Sequence, residues 1–257
     1  MSPHEDQAVE LRQYTLHARR RDELITLFER EFIEPQEALG MRVIGQFHDL
    51  DNPDRFVWLR GFRDMASRAS ALAAFYGGPA WQAHREAANA TMIDSDNVLL
   101  LRPAWPGAGI DMRGRTRAAV ASRAKPAGLL DASIFALRHA APLELLQFCR
   151  DVMSPLLARA GAQRQGWYVT EPAPNNFPRL PVREGQTVLA GFALFTDATA
   201  FETFCRSGAW AREVQPMLAR WLSRPAESLR LTPTPRSALY AGSSLIPRTP
   251  DRDPQSP

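Results

Sequence analysis

Three short stretches of this chain gather the side-chain types that handle a small anionic or aromatic molecule. In "VELRQYTL", Glu10, Arg12 and Tyr14 recur at every second position; "MRVIGQFHD" carries Gln46 and His48 with the same spacing, and "RFVWLRGF" carries Trp58 and Arg60. Residues two apart share one face of an extended strand, so each set points to a common side. The arginine forks suit a carboxylate or enolate oxygen, a histidine titrates near neutral pH and can move a proton, and Trp58 with Tyr14 offers flat surfaces for an aromatic ring. The expected roles are catalysis for His48, Arg60 and Tyr14 and substrate binding for Glu10, Arg12, Trp58 and Gln46. A structural reading stands beside this one. Charges are costly away from water unless paired, so Glu10 with Arg12 or Arg60 can equally form an internal salt-bridge network, and His48 can be a strand-end residue bonded to its neighbour.

The elements that must position these groups are legible. "VELRQYTL" alternates as a strand, and the segment after it has Leu24, Leu27, Phe28 and Phe32 at helical spacing, ending at Gly40. "MRVIGQFHD" and "RFVWLRGF" flank the turn "LDNPD" and read as a hairpin. Asp64 caps a helix through "MASRASALAAFYG", a short helix carries Trp81, and "NVLLLRP" is a fourth strand. If the alternation faces a partner sheet, Glu10, Arg12, Tyr14, Ile44, Gln46, His48, Phe56, Trp58, Arg60 and Phe62 line an interior, with Gln13 on the helix-packed side.

The same order returns in the second half: "LLDASIFALRH", a helix through "PLELLQFCRDVMSPLLARAG", "QRQGWYVT", "TVLAGFALF", "DATAFETFCRSGAWAREV" and "SLRLTP". "FYGGPAW" echoes as "FCRSGAW", Phe28 and Pro35 match Phe148 and Pro155, Gly45 matches Gly166, and Trp81 matches Trp210. The chain therefore reads as a duplication, with repeats at 8–105 and 128–234, a Pro/Gly/Ala/Arg-rich linker at 106–127 holding one helical turn, and a polar tail at 235–257 expected to be disordered at its end. The polar set belongs to the first copy alone. Its Arg12, Tyr14, His48, Trp58 and Arg60 are matched by Ser133, Phe135, Val169, Gly191 and Ala193, smaller residues that leave room for a ligand.

The first repeat resembles the NIPSNAP family, on "VELRQYTL", "GMRVIGQF" and "FRDMASRASALAAFYGGPAWQAH"; in the second the strand signature has become "DASIFAL". The resemblance implies an α+β fold, tandem ferredoxin-like repeats packing their sheets into an α/β-barrel. It implies no single reaction, since structural cousins include oxygenases, isomerases, haem enzymes and regulators. Two functions are therefore expected to compete: a metal-free oxygenase or isomerase of a small aromatic or anionic molecule held in the barrel of the first repeat, and a noncatalytic binding or adaptor protein.

Composition narrows the field. The 257 residues are 45% apolar, with a formal charge of +3 carried by arginines and the single Lys125, a bias that reads as a GC-rich bacterial genome. Acids are mixed among the bases, which argues against nucleic acid. No run suits a membrane span and the N-terminus does not read as a signal peptide, so a cytoplasmic protein is expected. Cys149 and Cys205 lack metal spacing and are expected reduced and buried. No cofactor or metal motif occurs, and His84 is the one residue at which haem ligation comes into view, by analogy with the haem-binding cousins. A homodimer through the outer helices or edges is a further expectation.

Overall fold

The structure, a computed structural model, describes residues 5–242. The first half runs β1 (Ala8–Leu16), α1 (Arg21–Glu31), α2 (Ile33–Ala38), β2 (Arg42–Asp49), β3 (Arg55–Phe62), α3 (Met65–Gly77), α4 (Pro79–Asn89), the short β4 (Met92–Asp94) and β5 (Val98–Pro103). The second runs β6 (Leu129–Ala136), α5 (Leu143–Phe148), a π turn (Cys149–Met153), α6 (Ser154–Arg159), β7 (Arg164–Thr170), β8 (Val188–Phe195), α7 (Ala198–Ser207), α8 (Ala209–Glu213), α9 (Gln215–Leu218) and β9 (Glu227–Pro233). The long helix expected before β7 runs unbroken from Leu143 to Arg159, with the π turn taking up the irregularity just ahead of Pro155, which has no N–H to donate to the ladder.

Eight strands close into an antiparallel barrel, in the order β3-β2-β9-β6-β8-β7-β5-β1 with β1 pairing back to β3; β4 extends β1 at its end. Within each half the order is the same, β5-β1-β3-β2 and β9-β6-β8-β7. The halves join where β2 meets β9 and β5 meets β7. Closure removes every long free edge. The cross-strand register also matches: Glu10 faces Arg60 and Arg12 faces Trp58, as Asp131 faces Ala193 and Ser133 faces Gly191.

The barrel interior is apolar and drawn from both halves: Val9, Leu11, Phe47, Val57 and Leu59 meet Leu130, Ile134, Phe192, Leu194 and Leu231. Separate layers pack under the helices, one with Phe28, Phe56, Trp58 and Phe75, the other with Phe135, Trp167, Phe195 and Phe204. This inverts the expected faces. The alternation was right, but the Tyr14 and Trp58 side packs against helices, and it is Gln13, opposite Val57, that shares the face turned to the interior. A lumen of this size is most cheaply filled with aliphatic side chains, whereas helices can bring polar partners to a buried charge. In β2 an irregularity between Val43 and Gly45 puts Ile44 inward while Gln46 and His48 stand opposite Trp58 and Phe56.

The linker and the segment after β9 form one latch. Arg115 donates to the carbonyls of Ala238, Tyr240 and Gly242, Arg117 to those of Val43 and Arg236, and Arg236 to that of Ala118. Thr234, Ser237 and Leu239 are fully buried, and the chain stays packed in as far as Ala241; the end expected to be disordered lies outside the described residues. No helix forms in the linker, which makes turns only. Cys149 is buried as expected, whereas Cys205 on α7 is exposed, at the edge of an open cleft. Among the described residues no helix is long and apolar enough to cross a membrane.

Candidate functional site

Five of the residues singled out in the sequence meet in one place. Glu10, Arg12 and Arg60 are buried between the first-half sheet and its helices, joined by Arg68 from α3. The Glu10 carboxylate accepts from Arg12 Nη1 at 2.7 Å, from Arg60 Nε and Nη2 at 3.1 and 2.6 Å, and from Arg68 Nε at 2.7 Å. Arg12 Nε donates to the Tyr14 hydroxyl at 2.9 Å, and Arg60 Nη1 to Gln36 Oε1 at 3.0 Å. The Trp58 ring lies 4.9 Å from the Arg60 guanidinium carbon and 5.7 Å from that of Arg12. Burial by itself would raise the Glu10 pKa, yet the three guanidiniums outweigh it and hold the carboxyl far below its ordinary range.

The other expected residues lie apart from this network or at its margin. Gln46 is fully buried beside Trp58, and neither its amide atoms nor Trp58 Nε1 find a hydrogen-bond partner. His48 sits at the rim of an outer depression formed by α1, the linker and β9, 3.5 Å from Asp22, with its pKa lowered by burial and by Arg21. That separates it from Arg60. His84 on α4 is 3.3 Å from Glu31 of α1, and among the described residues no cluster of His, Cys, Asp and Glu is suited to a metal.

Apart from the depression beside His48, an open space lies in the second half, at the register-equivalent position. A cleft of about 340 Å³ lies between the sheet and α7/α8, with Asp131, Ser133, Gly191 and Ala193 on its floor and Phe135, Trp167, Phe201, Phe204 and Trp210 around it. The residues that fill the first half have been replaced by small ones. Counting from the capping residues Asp64 and Asp197, Phe201 takes the place of Arg68. Gly191 takes the place of Trp58, while the indole now comes from the neighbouring strand: Trp167 lies over Gly191, where a Cβ would come within 2.5 Å of the ring. Trp167 Nε1 donates to Ser154 Oγ at 2.7 Å, which fixes the ring plane, and Phe135 stacks on Trp210 at 6.3 Å.

Asp131 is the chemical centre of this cleft. It occupies the position of Glu10, but its partners are two hydroxyls, Ser228 Oγ at 2.7 Å and Ser133 Oγ at 3.0 Å. Desolvation raises its pKa, and the two hydrogen bonds only partly offset the rise. Two carboxylates at matching positions are thus driven in opposite directions. The sequence reading noted the smaller residues at 133, 191 and 193 but not the acid among them; extending the comparison from Arg12 and Ser133 two residues back would have found it.

An eight-stranded α+β barrel with helices on its outer faces is the class of protein these observations define. Residues 9–105 match the NIPSNAP family model, so that stretch is similar to NIPSNAP domains. No curated protein matches the sequence. Over nearly its whole length the fold is similar to that of a candidate monooxygenase from Lactobacillus acidophilus NCFM, with a TM-score of 0.56 at 12% identity, covering 90% of this chain and 98% of the other. It is similar also to an anthrone oxidase-like protein, with a TM-score of 0.51 at 12% identity, covering 94% and 99%. An uncharacterized NIPSNAP-like domain protein from Burkholderia xenovorans is 29% identical over 38% of this chain and 84% of its own, with a TM-score of 0.35.

Proposed function

We propose that this chain is a tandem pair of ferredoxin-like repeats in which the second binds a planar aromatic carbonyl compound, and that Asp131 exchanges a proton with it. The repeat reading is supported by the shared strand order and register of the halves. The observation that carries the functional reading is a carboxylate with raised proton affinity at the floor of an aromatic-walled cleft of drug-ligand scale. Trp210, Phe135 and Trp167 would sandwich a flat ring system. Asp131 Oδ would take a proton from a ring carbon conjugated with the carbonyl, as the methylene of anthrone is, leaving a delocalised enolate. Returning that proton elsewhere on the ring makes the protein an isomerase; reaction of the enolate with dioxygen makes it an oxygenase, a reading in keeping with the names of the two full-length fold neighbours.

This moves the expected site from the barrel of the first repeat to the sheet–helix cleft of the second. The roles expected for His48, Arg60 and Tyr14 need a shared cavity, which the paired network around Glu10 fills. That closed network is what the noncatalytic alternative anticipated for the first half, and the open cleft favours chemistry in the second.

Titration with anthrone is expected to quench tryptophan fluorescence saturably, and turnover is read as oxygen uptake or as loss of the substrate's ultraviolet band. Asp131→Asn keeps the serine hydrogen bonds and the volume, so it should bind anthrone comparably while turnover falls by about 10²-fold or more, the usual weight of a general base. In the native protein kcat/KM should rise with pH as Asp131 loses its proton, and this limb should vanish in the variant. Undiminished turnover by Asp131→Asn, or anthrone that fails to bind, overturns the reading.

A further inference from the structure

The first-half network is unbalanced: three arginines surround one glutamate, all four buried. Two positive charges are therefore left to neutral partners, an arrangement far costlier than a matched pair. Those partners are uneven in kind. Around Arg12 and Arg60 they belong to the first half itself, Tyr14 and Gln36. The outer nitrogen of Arg68 is held by the second half: Arg68 Nη1 donates to Asn175 Oδ1 at 3.0 Å and to Asn176 Oδ1 at 2.7 Å. Both asparagines lie on the long connection between β7 and β8, whose Phe177 stacks on Tyr76 of α3 at 6.0 Å and whose Leu180 packs on the first-half core.

We propose that this side of the network is a binding site for a small organic carboxylate, with the 171–187 connection as its lid and the two asparagine oxygens standing where the carboxylate oxygens would bind. Two amide oxygens on one guanidinium nitrogen reproduce the acceptors of a carboxylate without its charge. A bound anion would supply the charge the network lacks. On the same half of the barrel Trp58 Nε1 and the Gln46 amide are likewise buried and unpartnered. The site is separate from the Asp131 cleft, so either reading can fail without the other.

The test is the melting temperature of the full chain with acetate, benzoate or succinate, each against chloride at equal ionic strength. Native protein should show a saturable rise with at least one carboxylate, since a ligand that binds only the folded state stabilises it. Asn175→Ala/Asn176→Ala removes the competing oxygens and should lower the midpoint of that rise by about tenfold; Arg68→Gln should abolish it. If Arg68→Gln does not fold, the asparagine variant decides alone. A melting temperature indifferent to all three carboxylates in both native and asparagine-variant protein overturns the proposal, as does a midpoint unchanged by the double substitution.

Discussion

Glu10→Gln is the perturbation that weighs the first-half network most directly. The substitution preserves shape while removing the one negative charge that three buried guanidiniums share, and it turns an acceptor into an amide whose N–H groups face other N–H groups. Removing one partner of a buried ion pair costs about 3–5 kcal/mol, and here a single change leaves three cations uncompensated, which sets the expectation at about 4 kcal/mol or more. For a chain of this size each kcal/mol moves Tm by about 2–4 °C, so a fall of about 10–15 °C is expected. The pH dependence supplies a second readout. Because the folded protein holds the Glu10 pKa far below its unfolded value, its stabilisation is complete above the ordinary carboxylate range and is lost as pH falls through and below it. Urea denaturation at pH 7 and pH 4 should therefore show a smaller gap between native and variant at the lower pH. A loss below about 1 kcal/mol at pH 7 would refute the account of Glu10 as the charge that holds the three buried guanidiniums together.

Two further perturbations probe other parts of the barrel. Asp6, 3.4 Å from Arg42 and packed against Gly61, has its pKa raised to about 6, chiefly by burial. The folded state thus holds its proton more tightly than the unfolded one, so stability should fall as pH rises from about 4 to about 6; Asp6→Asn should flatten this window and gain about 1–3 kcal/mol at pH 7 in denaturant titrations, less what the Arg42 pair contributes. Gly191→Ala places a methyl 2.5 Å from the Trp167 ring, and because that ring is tied to Ser154 it should cost about 1–3 kcal/mol by overpacking while weakening anthrone binding about tenfold in the fluorescence titration.

The sequence by itself determined the eight barrel strands, the main helices between them, their order and the Asp64 cap, because these rest on local periodicity and turn chemistry that each segment carries alone. It also determined which residues share a strand face: Glu10, Arg12 and Tyr14 do stand together, opposite Trp58 and Arg60. Which side of the sheet that face meets was decided only by closure of the barrel. Alternation has a period but no sign, and a polar face can meet water, a ligand or the partner groups of a helix with the same spacing. Arg68 reaches Glu10 from a helix, Gln36 reaches Arg60 from a second helix, and Asn175 and Asn176 reach Arg68 from a distant loop, contacts with no local trace in the chain. The cleft followed the same rule. Small residues at Ser133, Gly191 and Ala193 were visible as gaps, but only the packing of α7 and α8 over Asp131 turned those gaps into an enclosed volume and raised the proton affinity of the acid within it.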